Sequence, residues 1–129
     1  MTQLLHLDTH VVVWLYAGEH DRFPSGLRRR LNTDSLRFSP MVRLELGYLH
    51  EIGKLTEAPH RIITELEKAI GLTESTLAFG RVIDLAEHAT STRDPFDRII
   101  TAQALCARAS LATQDVRIRA AHPADTVWD

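Results

Sequence analysis

Two hydrophobic rhythms alternate along the chain. Leu4, Leu5 and Leu7 form a short apolar run that ends at Asp8 and is interrupted by His6, the pattern of a buried strand in a parallel sheet. Asp8-Thr9 then supplies helix-capping side chains ahead of Val11, Val12, Val13, Trp14, Leu15 and Tyr16, and Gly18 supplies a stop. A strand that feeds directly into a helix opens an α/β chain. It also puts Asp8 at the carboxyl end of the first strand, where open α/β sheets hold their ligands. Further along, Pro24 to Leu31 reads as a short basic helix and Leu36 to Phe38 as a brief strand. Ser39-Pro40 caps a helix that carries Val42, Leu46, Leu49 and Ile52 at helical spacing up to Gly53.

A turn from Thr56 to Pro59 leads into an amphipathic helix through Ile62, Ile63, Leu66, Ala69 and Ile70, ending at Gly71. Leu72 to Ser75 is a short extended piece, followed by a helix through Leu77, Val82, Ile83, Leu85 and Ala86. Asp94-Pro95 opens another helix, in which Asp97 sits one turn in, beside the apolar run Ile99, Ile100, Ala102 and Ala104. Ser110 to Thr113 is a short strand that stops at Gln114-Asp115, and Thr126 to Trp128 is a last edge strand. Strands alternating with helices predict a three-layer α/β fold, a small parallel sheet of about four to five strands flanked by helices on both faces.

Length and composition narrow this picture without redirecting it. At 129 residues, with no repeat and no linker, the chain is expected to be one domain over 1–129, large enough for a core without disulfides. Lys plus Arg total 15 and Asp plus Glu 17, a formal charge of −2, so bulk electrostatics demand no nucleic-acid partner and any such partner must be held locally. The basic residues are almost all Arg, the side chain better suited to bidentate phosphate contact. The lone Cys106 lies in an apolar helix as a small core residue, and fits a reducing compartment. With no membrane-length apolar run, a cytoplasmic protein with no membrane partner is expected.

Four acids change the picture more than the composition does. In a parallel sheet with right-handed crossovers all strand carboxyl ends lie along one edge, so Asp8, Asp97 and Asp115 can converge there, and Glu45 can reach the same cleft from the first turns of its helix. Clustered carboxylates repel unless a cation neutralises them, which points to a hard divalent ion, Mg²⁺ or Mn²⁺. Such an ion can activate a water and offset the charge of a phosphodiester under attack. Asp94, just before the helix, has a cap as its simplest role.

The blocks around these acids resemble a known family. Leu5-His6-Leu7-Asp8-Thr9-His10 with Trp14-Leu15, Ser39 to Leu46 with Glu45, Arg93-Asp94-Pro95-Phe96-Asp97-Arg98 with Ala102-Gln103-Ala104, and Leu111 to Asp115 are similar to the four signature blocks of the PIN-domain family. The VapC-like branch, the toxin halves of bacterial toxin-antitoxin pairs, matches best, and the resemblance spans nearly the whole chain. It implies a metal-dependent endoribonuclease with Asp8, Glu45, Asp97 and Asp115 as the acidic set and Asp94 as an accessory acid or cap. It also implies Thr9 as the hydroxyl residue beside the first acid and Thr113 as a polar residue near the fourth. A homodimer, an RNA substrate and a small antitoxin that covers the cleft are implied as partners.

Other readings are weaker on the residues. His6, Asp8 and His10 suggest a zinc site, but His10 starts the helix and breaks the alternation such a site needs. A phosphatase using Asp8 as nucleophile would want a second acid at position 10, where His10 stands. A non-catalytic module that binds RNA or protein on the same fold is the remaining alternative, and the presence of all four acids argues against it. Arg93 and Arg98 are open between phosphate contact beside the metal and a helix-flanking ion pair with Asp94 or Glu87. Trp14 and Phe96 are expected in the core.

Overall fold

A computed structural model describes residues 3–129. Five strands form one sheet: β1 (Leu4–Leu7), β2 (Ser35–Phe38), β3 (Thr73–Glu74), β4 (Ser110–Ala112) and β5 (Thr126–Val127). Every neighbouring pair is parallel and the order is β3-β2-β1-β4-β5. The helices are α1 (Thr9–Tyr16), α2 (Ser25–Thr33), α3 (Pro40–Glu51), α4 (Pro59–Ile70), α5 (Phe79–Ala86), α6 (Pro95–Cys106) and α7 (Val116–Ala121). This is the α/β arrangement the rhythms predict. Local differences have local causes. Pro24 acts as the cap of α2 rather than its first residue, and β3 keeps only the middle of the expected extended piece. Helix α7 has no counterpart in the sequence reading, because six residues are too few to show a period.

Leu5, His6 and Leu7 are consecutive and all buried, so both faces of the central strand are covered by helices. Phe23, Leu27, Phe38, Leu46, Ile100 and Leu111 fill the main core, each contributing roughly 1.5–3 kcal/mol by leaving water. A smaller apolar contact, Val82 and Ala86 against Ala102, fixes α5 on α6, and Cys106 packs at its edge. His6 shares the central strand but neither ring nitrogen has a partner, and burial with the nearby Arg37 charge holds its pKa down at about 4.

Connections set where a site can form. From β1 the chain moves to β2 on one side, whereas from β4 it moves to β5 on the other, so the strand order reverses between the carboxyl ends of β1 and β4. Buried polar bonds pin α6 beside that crevice. The Ser39 hydroxyl, which also caps α3, donates to Gln103 Oε1 at 3.0 Å, and Gln103 Nε2 donates to Ser75 Oγ at 2.9 Å. Among the described residues no helix is long and apolar enough to cross a membrane.

Candidate acidic site at the sheet edge

Asp8 ends β1 and caps α1. Its Oδ1 accepts from the Thr9 N–H at 2.8 Å, and its Oδ2 accepts from the Thr113 hydroxyl at 2.6 Å, across the junction of β1 and β4. The Asp8 N–H continues the ladder to the Ala112 carbonyl at 3.0 Å. Asp8 is therefore held rigidly in the reversal crevice. The Thr9 hydroxyl, one residue on, donates to Glu45 Oε1 and couples α1 to α3. Burial raises the Glu45 pKa, the Thr9 hydroxyl works against that shift, and the charges of Asp8 and Asp94 add to it.

Two more acids are helix caps. Asp94 Oδ1 accepts from the Phe96 and Asp97 N–H groups at 2.8 and 3.3 Å, so its expected capping role is what the geometry gives it. Asp115 Oδ1 accepts from the N–H groups of Arg117 and Ile118 at 2.9 and 3.0 Å and so caps α7. Thr113 serves both strand ends, because its hydroxyl oxygen also accepts from the Asp115 N–H at 3.1 Å.

Asp97 differs from all of these. Its carboxylate receives no hydrogen bond from the described residues, and its pKa is pushed up to about 7, first by burial and then by the charges of Asp8, Asp94, Asp115 and Glu45. Asp8, Glu45, Asp97 and Asp115 line one cavity of about 270 Å³, with Thr9 and Lys54 on its walls. The sequence argument for convergence thus has its geometric counterpart. Asp94 stays outside this cavity but close enough for its charge to reach Glu45 and Asp97.

An ion would find four carboxylate groups here, of which Asp97 carries no hydrogen bond from the described residues. Among the described residues no group of three or more His, Cys, Asp or Glu is placed to hold a metal directly as it stands. Carboxylate oxygens are the donors that hard divalent ions take, whereas a closed zinc cage wants imidazole or thiolate ligands.

Arg93 and Arg98, left open between phosphate contact and a helix-flanking ion pair, lie outside the acid cavity and form no ion pair among the described residues. The Arg98 guanidinium donates to the Ala86 carbonyl at 3.1 and 2.8 Å and to the Glu87 carbonyl at 3.1 Å, tying down the end of α5. Arg93 and Arg98 line a separate, largely apolar groove with Pro95 and Ile99. The cations bordering the acids are ones the sequence reading passed over, Lys54 in the acid cavity and Arg117 and Arg119 beside it. His10 was also undervalued. Its Nε2 accepts from the Gln114 N–H at 2.8 Å, its Nδ1 lies 3.7 Å from Asp8 Oδ2, and burial lowers its pKa against the pull of Asp8 and Asp115. Trp14 is only partly buried, in an aromatic group with His10, Phe23 and Trp128, and Phe96 packs on Tyr48.

A parallel sheet with carboxylates gathered at its reversal point defines an acidic-edge α/β protein, and comparison with known proteins gives the class a name. The PIN domain family model matches residues 5–122, and the chain belongs to the PIN-domain family. Its fold is similar to that of a chain in VapBC2 from Rickettsia felis bound to a DNA fragment from its promoter. That match has 17% identity and a TM-score of 0.67, and covers 98% of this chain and 100% of the other. A toxin-antitoxin complex from Klebsiella pneumoniae (14% identity, TM-score 0.66, 95% of each chain) is similar as well. So is VapBC-1 from nontypeable Haemophilus influenzae (16% identity, TM-score 0.58, 98% and 97% of the two chains). No curated protein sequence matches the chain significantly.

Proposed function

We propose that the chain is a metal-dependent endoribonuclease, the toxin of a bacterial toxin-antitoxin pair. The observation that carries the reading is Asp97, a carboxylate without a hydrogen bond, pushed up to about 7 in a cavity shared with three other acids. Evolution of a stable fold alone would disfavour such repulsion, whereas a site for a cation uses it. Family membership and the likeness to toxin-antitoxin complexes support the same reading.

Asp8, Glu45, Asp97 and Asp115 would hold Mg²⁺ or Mn²⁺, which when bound supplies an activated water and offsets charge on the phosphodiester. The protein's own part is positional. Thr113 fixes the Asp8 carboxylate, Thr9 fixes Glu45, and the Asp115 cap fixes the loop after β4. No side chain is needed as a covalent nucleophile. The proposal extends to a homodimer acting in the cytoplasm and silenced by an antitoxin that covers the cleft.

The test is cleavage of a mixed RNA pool by purified protein with Mg²⁺ or Mn²⁺, with EDTA, and with Asp8→Ala as the contamination control. Cutting that requires metal and is lost in Asp8→Ala is the expected result. Folded, antitoxin-free protein that cuts under no metal condition would leave a non-catalytic binding module on the PIN fold.

A further inference from the structure

Beside the acid cavity lies a second and larger one of about 690 Å³, and the two share His10, Trp14, Asp97 and Asp115 as a common border. The outer cavity has room for a nucleotide-sized group. One wall is aromatic, made by His10 and Trp14. Trp14 is braced by Phe23 and Trp128 and carries the Arg22 guanidinium over its ring at 4.7 Å, so this wall is fixed. Arg117 and Arg119 from α7 line the same cavity.

The two arginines are differently prepared. Arg117 is exposed, and neither it nor Arg119 forms an ion pair among the described residues. Arg119 is half-buried and anchored, one terminal nitrogen donating to the Gln114 carbonyl at 3.2 Å, while its Nε has no partner. Two guanidiniums without an ion-pair partner among the described residues, beside an aromatic wall, suit a phosphate with an adjoining base. The wider charge balance argues for the same occupant. A polyanion must approach a chain of net charge −2 whose cleft holds four acids, and local cations next to those acids are what would hold it there.

We infer that the outer cavity is a substrate subsite for single-stranded RNA, in which Arg117 and Arg119 grip a backbone phosphate adjacent to the one being cut and His10 and Trp14 form the wall against its nucleoside. The inference rests on the ribonuclease reading and gives it a direction: the strand leaves the acids past α7, not past Arg93 and Arg98.

The experiment measures anisotropy of a short fluorescein-labelled single-stranded RNA of mixed sequence, titrated with the cleavage-inactive Asp97→Asn protein at several salt concentrations. R117A/R119A in that background is expected to bind at least about tenfold more weakly at low salt. The slope of log affinity against log salt should shrink by about 0.7 for each lost phosphate contact. Arg28→Ala, on the exposed side of α2, is the control and should leave both unchanged. Because Arg119 is half-buried, Arg117→Glu provides a variant that cannot disturb the core, and it should weaken binding at least as much as Arg117→Ala. Unchanged affinity and slope in R117A/R119A and Arg117→Glu would overturn the subsite. Cleavage of the same RNA by the unmodified chain, followed in parallel, separates the two failures: intact cleavage with indifferent arginine variants overturns the subsite alone, and neither binding nor cleavage overturns both.

Discussion

The first turn of α6 faces two ways, and the two sides are chemically opposite. On one side Asp97 enters the acid cavity with no hydrogen bond and a pKa near 7. On the other, one residue later, the Arg98 guanidinium is tied by three hydrogen bonds to the Ala86 and Glu87 carbonyls. Both are charged residues of a single block, Asp94-Pro95-Phe96-Asp97-Arg98, and only their surroundings tell them apart. The side with its bonds made serves the fold. The side with a charge left over is where a ligand has something to gain.

Breaking that contrast should separate activity from stability. Asp97→Asn is expected to lower RNA cleavage by at least about a hundredfold, since removing a ligand exceeds the usual effect of losing its outer partners. It should not lower the urea midpoint, because the substitution relieves repulsion; a fall in both would make Asp97 a structural residue. Arg98→Ala should do the reverse. Losing its carbonyl contacts at a half-exposed position should cost about 1–2 kcal/mol of unfolding free energy, with cleavage per folded molecule unchanged. Cleavage that fell with Arg98 would return this arginine to the substrate.

The smallest effect is one of pH. A carboxyl that titrates at its ordinary 3.8 unfolded and at about 7 folded binds its proton more tightly in the folded state. Its contribution to stability is therefore fully present below about pH 4 and is lost as pH rises through 7. Allowing for solvent screening at a half-buried site, the loss is about 1–2 kcal/mol. In EDTA, unfolding free energy measured from pH 4.5 to 8 should fall more in the unmodified chain than in Asp97→Asn, and Mg²⁺ should restore part of the difference at the alkaline end. Identical profiles would mean that burial and the neighbouring charges of Asp8, Asp94, Asp115 and Glu45 do not act on Asp97 as described.

Much of this was legible because strand-to-helix junctions write themselves in local sequence. Leu5-His6-Leu7-Asp8-Thr9 announces both a strand end and a cap, and Asp94-Pro95 announces a helix start, so local sequence alone puts the acids on one sheet edge. What stayed hidden depended on partners distant in the chain or invisible in side-chain chemistry. Arg98 stays open in the sequence because its acceptors are backbone carbonyls, which every residue has. Arg117 and Arg119 were passed over because α7 is too short for a period, and their position beside Asp97 comes only from the loop after β4. The Gln103 bridge between Ser39 and Ser75 likewise needs the packed helix before it exists.

The bond from the Thr113 hydroxyl to Asp8 joins residues 105 positions apart. A contact that distant closes late, after the local helices and the nearer strand pairs have formed. During synthesis from the amino end, the emerging polypeptide can make α1 and present Asp8 long before anything exists to hold that carboxylate in place. The cleft is therefore assembled only once the residues of β4 and α7 have been translated, and a ribosome carrying an unfinished copy holds a chain whose four acids are not yet gathered.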